Sequence, residues 1–345
     1  MISKVVVDDF REVPKWLLSL LTKHLPFSLP VLRRLQFAAQ IEGGRSPNTR
    51  ILFAHDNQVA TTAYSSSAIP SDPLPTHFAV TYLDLSRLPE TQCWLYSTLE
   101  DSVPVHTDPQ DSGTGPPDLP AVDQARCLEH VLALLQRVRA IELEESSSVR
   151  EPPPRPRGEV LVGSLHEAVR LALERHGVCI RATGHVSLEL GWDYYVKWLF
   201  RVGEVEWPDM LPAGMRWDKI RNRQDTALVR SRTTIPRQDS TLLLLPSMAI
   251  RLDDGTLVAW AFFGIDGSLT TLHCEEPYRG RGLAKALAHR LMREHLKDYG
   301  DDGWYHADVS IRNLQSQGVC RSLGGKPGWV VSWAFVDLKT VGQNS

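Results

Sequence analysis

Hydrophobic positions along this chain alternate between two periods, and the changes of period divide it into elements. From Ala125 to Ile141, Leu128, Val131, Leu132, Leu135 and Val138 recur at three- and four-residue spacing, which predicts an amphipathic helix. Leu165 to Arg175 repeats that spacing, with Ser164 as its N-cap and Gly177 as its stop. The second half is punctuated more tightly. Leu242 to Ile250 predicts a strand, Asp253-Asp254-Gly255 a turn, Leu257 to Phe263 an apolar strand, Asp266-Gly267 another turn, and Leu269 to Glu275 a third strand. Connections this short make the three strands antiparallel. Gly280 to Lys297 then predicts a helix and Tyr305 to Val309 a further strand; strand, helix and strand in that order require a right-handed crossover and a parallel pair. Asn313 to Leu323 predicts a helix stopped by Gly324-Gly325, and Trp329 to Leu338 a closing strand. The fold class is mixed α/β.

Two stretches interrupt the pattern, Val103 to Pro120 and Glu151 to Gly158, both too rich in Pro, Gly and charge for regular structure. The chain has 345 residues, enough for two cores, and on composition alone the second interruption is where it would be cut. The longest apolar run, Leu257 to Phe263, is far short of the roughly 18 residues of a membrane span, and the first sixteen residues carry acids where a secretory signal needs an apolar stretch. Five cysteines without a close pair point to free thiols in a reducing compartment. These features predict a cytoplasmic protein without a membrane partner. With 38 Lys+Arg against 41 Asp+Glu, the net charge of −3 offers no basic footprint for nucleic acid. No metal is expected either: His289 and His295 stand six apart and point to different helix faces.

Candidate chemistry concentrates where the third strand of the second half meets its helix, in Leu272-His-Cys-Glu-Glu-Pro-Tyr-Arg-Gly-Arg-Gly-Leu-Ala-Lys285. Gly280 and Gly282 allow the backbone to approach a ligand closely, and the first turn of a helix leaves amide N–H groups without partners inside the helix. Arg279 and Arg281 add positive charge at the positive end of the helix dipole, so the expected ligand is a phosphate or diphosphate. There is no GxxxxGK[ST] and no early GxGxxG to suggest another nucleotide motif.

Tyr278-Arg279-Gly280-Arg281-Gly282-Leu283-Ala284 resembles the acetyl-CoA signature of the GCN5-related N-acetyltransferase (GNAT) superfamily, with Arg279, Gly282 and Ala284 at its three motif positions. Asp308-Val309, Asn313, Ser316 and Leu323-Gly324 resemble the second half of that family's site. DDGTLVAWAF, PYRGRGLAKAL, DVSIRN and the Trp-rich closing strand are similar to its glycine N-acyltransferase, or FR47-like, branch. The resemblance implies a tandem GNAT fold: a mixed central sheet with splayed parallel strands flanked by helices, a degenerate amino-terminal copy at 1–205 and a CoA-binding catalytic copy at 206–345. It further implies that Leu272 and Cys274 give main-chain contacts to the pantetheine of an acyl-CoA cosubstrate. Arg279, Gly280, Arg281, Gly282, Leu283, Ala284 and Lys285 would hold the diphosphate, and Asn313 and Ser316 would line the other wall. The activity implied is acyl transfer to the amine of a small molecule or amino acid; an inactive CoA-thioester-binding module and a protein acetyltransferase are the alternatives.

Such a transfer needs a proton acceptor. Strand alternation puts His273 and Glu275 on one face and Leu272 and Cys274 on the other. Glu275 is the first candidate base and His273 the second, with Glu276 and Asp266 behind them. Many family members place a Tyr seven residues after the Asn to protonate the leaving thiolate; here that position is Cys320, read as packing or else as a proton donor or acyl relay. The aromatic cluster Trp192, Tyr194, Tyr195, Trp198 and Trp207 is either core between the halves or the lining of an acceptor pocket.

Overall fold

The computed structural model describes residues 4–56, 75–103, 119–148, 158–184, 194–201, 210–299 and 302–343. The expected boundary near residue 205, most of both Pro-rich stretches, Trp192 and Trp207 lie outside these residues. Period-2 runs supply two sheets. In the first half, β1 (Val5–Phe10), β2 (Arg50–Asp56), β3 (Phe78–Leu83) and β4 (Cys93–Ser97) form an antiparallel meander, and β5 (Glu159–His166) lies parallel to β4. In the second half, β8 (Met215–Asp218), β9 (Ser247–Leu252), β10 (Leu257–Phe263) and β11 (Leu269–Cys274) form a second antiparallel meander in that order. The three predicted antiparallel strands correspond to its β9, β10 and β11.

The halves are joined through their last strands. After β6 (Ile180–Ala182), strand β7 (Tyr194–Arg201) pairs with β12 (Trp304–Ser310), whereas the closing strand β13 (Lys326–Asp337) inserts between β5 and β7. Each half's final strand therefore completes the other half's sheet, giving the order β1-β2-β3-β4-β5-β13-β7-β12 among the described residues. A second joint is polar. Helix α1 (Lys15–Thr22) is followed by α2 (Leu29–Gln40), whose Arg33 is fully withdrawn from solvent. Its guanidinium donates to the carbonyls of Tyr299 (2.7 Å) and Trp304 (2.8 Å) and forms a bidentate pair with Asp302. A buried guanidinium needs this many acceptors to offset its desolvation.

Helices cover both sheets. The long α3 (Ala121–Ser148) includes the predicted run Ala125 to Ile141, with Val131, Leu134, Leu135 and Val138 in the core of the first half. Two boundaries differ from the periodicity. Helix α4 (Glu167–Arg175) starts later than expected, because the pairing of β5 with β13 extends through Leu165 and His166; His166 Nδ1, not Ser164, accepts the N-cap bond from Ala168 N–H (3.0 Å). After α5 (Arg223–Ser231), the run Leu242 to Ile250 divides at Pro246 into α6 (Asp239–Leu244) and β9. A proline drives the residue before it to extended backbone, and Leu245 has ψ 143°. Helices α7 (Leu283–His295) and α8 (Leu314–Ser322) fall within the predicted ranges. Among the described residues, no helix is long and apolar enough to cross a membrane.

Candidate active site

Strand β11 ends the four-stranded sheet and β12 ends the larger one. They meet at a single parallel bridge, Ser268 to His306, and then diverge. The facing edges of the two strands have no ladder partner beyond that bridge among the described residues. Backbone donors and acceptors withdrawn from solvent are nearly always paired, so an open wedge of this kind is suited to a ligand that carries its own amides. Within β11 the register slips by one residue opposite Ala261, and Thr271 takes φ 53°. A bulge of this kind bends its strand and sharpens its twist.

The wedge leads into the glycine turn. Gly280 and Gly282 have φ 75° and 79°, values that a side chain would strain, and a Cβ at Gly280 would meet nothing within 4 Å. Helix α7 then begins directly after the turn, its Leu283, Leu287 and Leu291 buried in the core of the second half. Arg279 Nε donates to the carbonyl of Cys274 (2.9 Å), and Arg281 donates to Pro277 O (3.1 Å) from the exposed side of the turn. The predicted anion-binding residues are thus brought together on one turn. Across the wedge, Asn313 caps α8 by accepting from Ser316 N–H (3.0 Å).

The candidate bases sit along the same strand. His273 stacks on Trp260 (4.6 Å between ring centres), and its Nε2 is 3.7 Å from Glu275 Oε2. Burial lowers the pKa of His273, against the opposing field of Glu275, so the ring is neutral near pH 7. Glu275 Oε1 accepts from Arg232, just after α5, at 2.9 Å. Cys320 is 3% exposed among Trp198, Val309 and Leu323, and burial pushes its thiol up to about 12.

A cavity of about 980 Å³, measured out to its open mouth, lies between the halves at the closed end of the wedge. From the second half, Arg237, Asp266, Thr270, Asp308 and Trp333 border it; from the first come Glu90, Trp94 and Tyr195. The aromatic cluster is therefore split between roles: Trp198 is core, Tyr195 lines the cavity, and Tyr194 is half-buried in contact with Arg170. Beneath the cavity floor runs a buried polar chain. Lys197 Nζ donates to Ser164 Oγ (2.7 Å) and to Asp308 Oδ2 (2.8 Å), and lies 3.1 Å from His306 Nδ1. An ammonium only donates, so Nδ1 accepts and His306 Nε2–H donates to the carbonyl of Asp266 (2.9 Å). Burial, reinforced by Lys197, lowers His306 to about 3; burial raises Asp308 despite the same lysine. For Asp266, burial acts upward but is outweighed by His306, Ser268 and Lys197, and the carboxyl is held below its ordinary value.

Glu90, Arg232, Arg237 and Lys197 escaped the sequence reading. Lys197 alone left a trace there, as a cation in the middle of the apolar run Tyr194–Arg201. The others come from loops that only the tertiary fold brings to β11.

Comparison with known proteins agrees with this architecture. The family described as acyl-CoA N-acyltransferase verG N-terminal domain matches residues 4–198, and the acetyltransferase (GNAT) family matches residues 215–324. No curated protein matches the chain. Among solved structures, the chain is similar to an X-ray structure of a Drosophila protein at 14% identity and TM-score 0.57, covering 99% of this chain and 100% of that one. It is also similar to a tandem GNAT protein from the clavulanic acid biosynthesis pathway (11% identity, TM-score 0.49, 96% and 98% covered). A third is a GCN5-related N-acetyltransferase from Sphaerobacter thermophilus (12% identity, TM-score 0.45, 97% and 96% covered). With an open parallel pair in each half and both halves matched, the chain belongs to the acyl-CoA N-acyltransferases of the GNAT superfamily.

Proposed function

We propose that this chain transfers an acyl group from acyl-CoA to the amine of a small molecule or amino acid, by direct attack in a ternary complex, as a member of the glycine N-acyltransferase-like branch. The observation that carries the reading is the wedge between β11 and β12 opening onto the Gly280–Gly282 turn and the start of α7. Main-chain groups at Leu272 and Cys274 would bond the pantetheine. Arg279 through Lys285 would hold the diphosphate with backbone amides and two guanidinium groups, and Asn313 and Ser316 would line the opposite wall. The catalytic copy is assigned to 206–345 and the degenerate copy to 1–205.

The acceptor would enter from the cavity between the halves. Its nitrogen lone pair attacks the thioester carbonyl carbon, the C–S bond breaks, and the amine proton ends on the departing CoA sulfur, leaving an amide and free CoA. Asp266, held ionised at the cavity wall, would bind the acceptor as an ammonium. Its low basicity makes it a poor proton acceptor. That role falls to Glu275 and His273, through water, because neither borders the cavity. The buried thiol of Cys320 supports departure of the CoA thiolate without a donor at that position; a thiolate of ordinary pKa near 8.5 leaves readily.

Release of CoA from acetyl-CoA and benzoyl-CoA, measured against a panel of amines, tests the reading. Amine-dependent release with intersecting initial-rate patterns is the expected result. Tight CoA binding without any amine-dependent release would instead identify a CoA-thioester-binding module, the reading favoured by the position of Cys320. Activity on peptides but not on free amines would identify a protein acetyltransferase.

A further inference from the structure

The charges around the inter-half cavity are answered unequally. Glu90 accepts from Gln238 N–H (2.9 Å), from the Thr241 hydroxyl (2.7 Å) and from Arg87 (2.6 Å). Asp266 accepts from the Ser268 hydroxyl (2.7 Å) and N–H (3.2 Å) and, at 3.4 Å, from the Trp94 indole. Asp308 is paired with Lys197. Each carboxylate at the cavity thus has its donors inside the protein. Of the two guanidinium groups there, Arg87 is paired with Glu90. Arg237 makes only two hydrogen bonds, both at the 3.5 Å limit, to Pro236 O and to Thr270 Oγ1. No carboxylate among the described residues pairs with it.

A half-buried guanidinium without an anionic partner is free to take an anion from the cavity. Burial lowers Arg237 from its ordinary value, against the fields of Glu90 and Asp266. A planar fork of N–H donors in this position matches a carboxylate with two bonds. Its contact with Thr270 fixes the place: Thr270 stands on β11 two residues past the bridge to His306, at the closed end of the wedge. The apolar part of the wall includes Trp94, Tyr195, Trp333, Ile235 and Leu245. A two-carbon acceptor would leave these aromatic side chains without a partner.

We propose that the acceptor is an aromatic amino acid, whose carboxylate is held by Arg237 and whose ring fills the Trp94–Tyr195–Trp333 wall, and that Arg237 is the residue that selects it. This rests on the acyl-transfer reading of the same cavity. Specificity then has two sources, a charge match and a shape match, and each is removed by a different change in the acceptor.

The test compares phenylalanine, phenethylamine and glycine as acceptors for the full-length wild type, R237Q and R237K, at saturating acetyl-CoA and benzoyl-CoA. A parallel calorimetric titration compares N-acetylphenylalanine with N-acetylphenethylamine in the presence of CoA. For the wild type, kcat/KM for phenylalanine exceeds that for phenethylamine on the order of 100-fold, as a charge-assisted contact predicts. It exceeds that for glycine by at least about tenfold, the effect of an unfilled apolar pocket. R237Q brings the first ratio to within a few-fold, mainly through KM, without changing CoA affinity or the unfolding midpoint; R237K gives an intermediate ratio. Equal use of phenylalanine and phenethylamine by the wild type, or a ratio unmoved in R237Q, overturns the assignment of Arg237. Glycine equal to phenylalanine overturns the aromatic half. If no amine is acylated, the titration still decides: carboxylate-dependent binding lost in R237Q sustains the pocket while refuting transfer, and binding indifferent to the carboxylate refutes both.

Discussion

Both halves of this molecule open a parallel strand pair, but the described residues that follow the two openings differ in charge. In the second half, β11 and β12 part after one bridge and lead to Arg279-Gly280-Arg281-Gly282 and the start of α7. In the first, β4 and β5 are paired only at Cys93–Val162 and Trp94–Gly163, and the chain leaving β4 carries acids. Glu100 is buried, accepts from Ser97 N–H (2.9 Å) and has its pKa raised well above the usual carboxylate value by burial. Asp101 accepts from the Tyr96 hydroxyl (2.7 Å) and pairs with His24 (2.6 Å), and Asp123 stands in the first turn of α3. Acids at a helix start are favourable to the helix but compete with a diphosphate for the same amides and the same field. An open strand pair is therefore a property of the fold, whereas the choice of an anion rests on the few residues after it.

The comparison breaks most severely at the joint between the halves. Arg33→Ala leaves Asp302 and two carbonyls without their donor, and a loss of about 3–5 kcal/mol is expected, as for other broken buried pairs; urea unfolding measures it. Next comes the turn itself. Arg279→Ala is exposed and makes one backbone bond, so folding should be nearly unchanged while CoA affinity falls roughly 10- to 100-fold by calorimetry. Unchanged affinity would mean that the second turn is no more an anion site than the first.

Glu100→Gln sharpens the contrast from the other side. A carboxyl whose folded pKa is raised above its unfolded value near 4.3 keeps its proton longer in the folded state, so stability is greatest below that value and declines as pH rises towards the folded pKa. The amide removes this decline: the unfolding midpoint of the variant should vary less between pH 4 and 7 than that of the wild type, and CoA affinity should change by less than about twofold. A large change in CoA affinity would give the first opening a share in binding. The smallest effect expected is at Cys320. Alanine there should cost about 1 kcal/mol of stability by leaving a small void, with acyl transfer preserved within about twofold; a tenfold loss would restore the thiol as a proton donor.

Much of the second half was legible from pattern alone. The runs Leu257 to Phe263 and Leu269 to Glu275 are strands, the helix after the glycine turn is α7, and the parallel relation of β11 to β12 follows from their crossover. Local signals erred where longer-range pairing claimed a residue, as β13 did with Leu165 and His166, or where a proline divided one run into helix and strand. The turn was legible because all its parts are consecutive. The cavity was not: Glu90, Arg237, Asp266 and Asp308 are separated by up to 218 positions, the difference between 308 and 90, and no local period links them.

By itself the sequence determined the local elements and the Arg-Gly turn, because backbone preference, side-chain period and charge act between neighbours. Only the tertiary structure decided that the closing strand belongs beside β5, that β7 belongs beside β12, and that two guanidinium groups and three carboxylates meet at the end of the wedge. Strand exchange and cavity formation are settled by which surfaces bury each other, a choice among distant segments that no short stretch encodes.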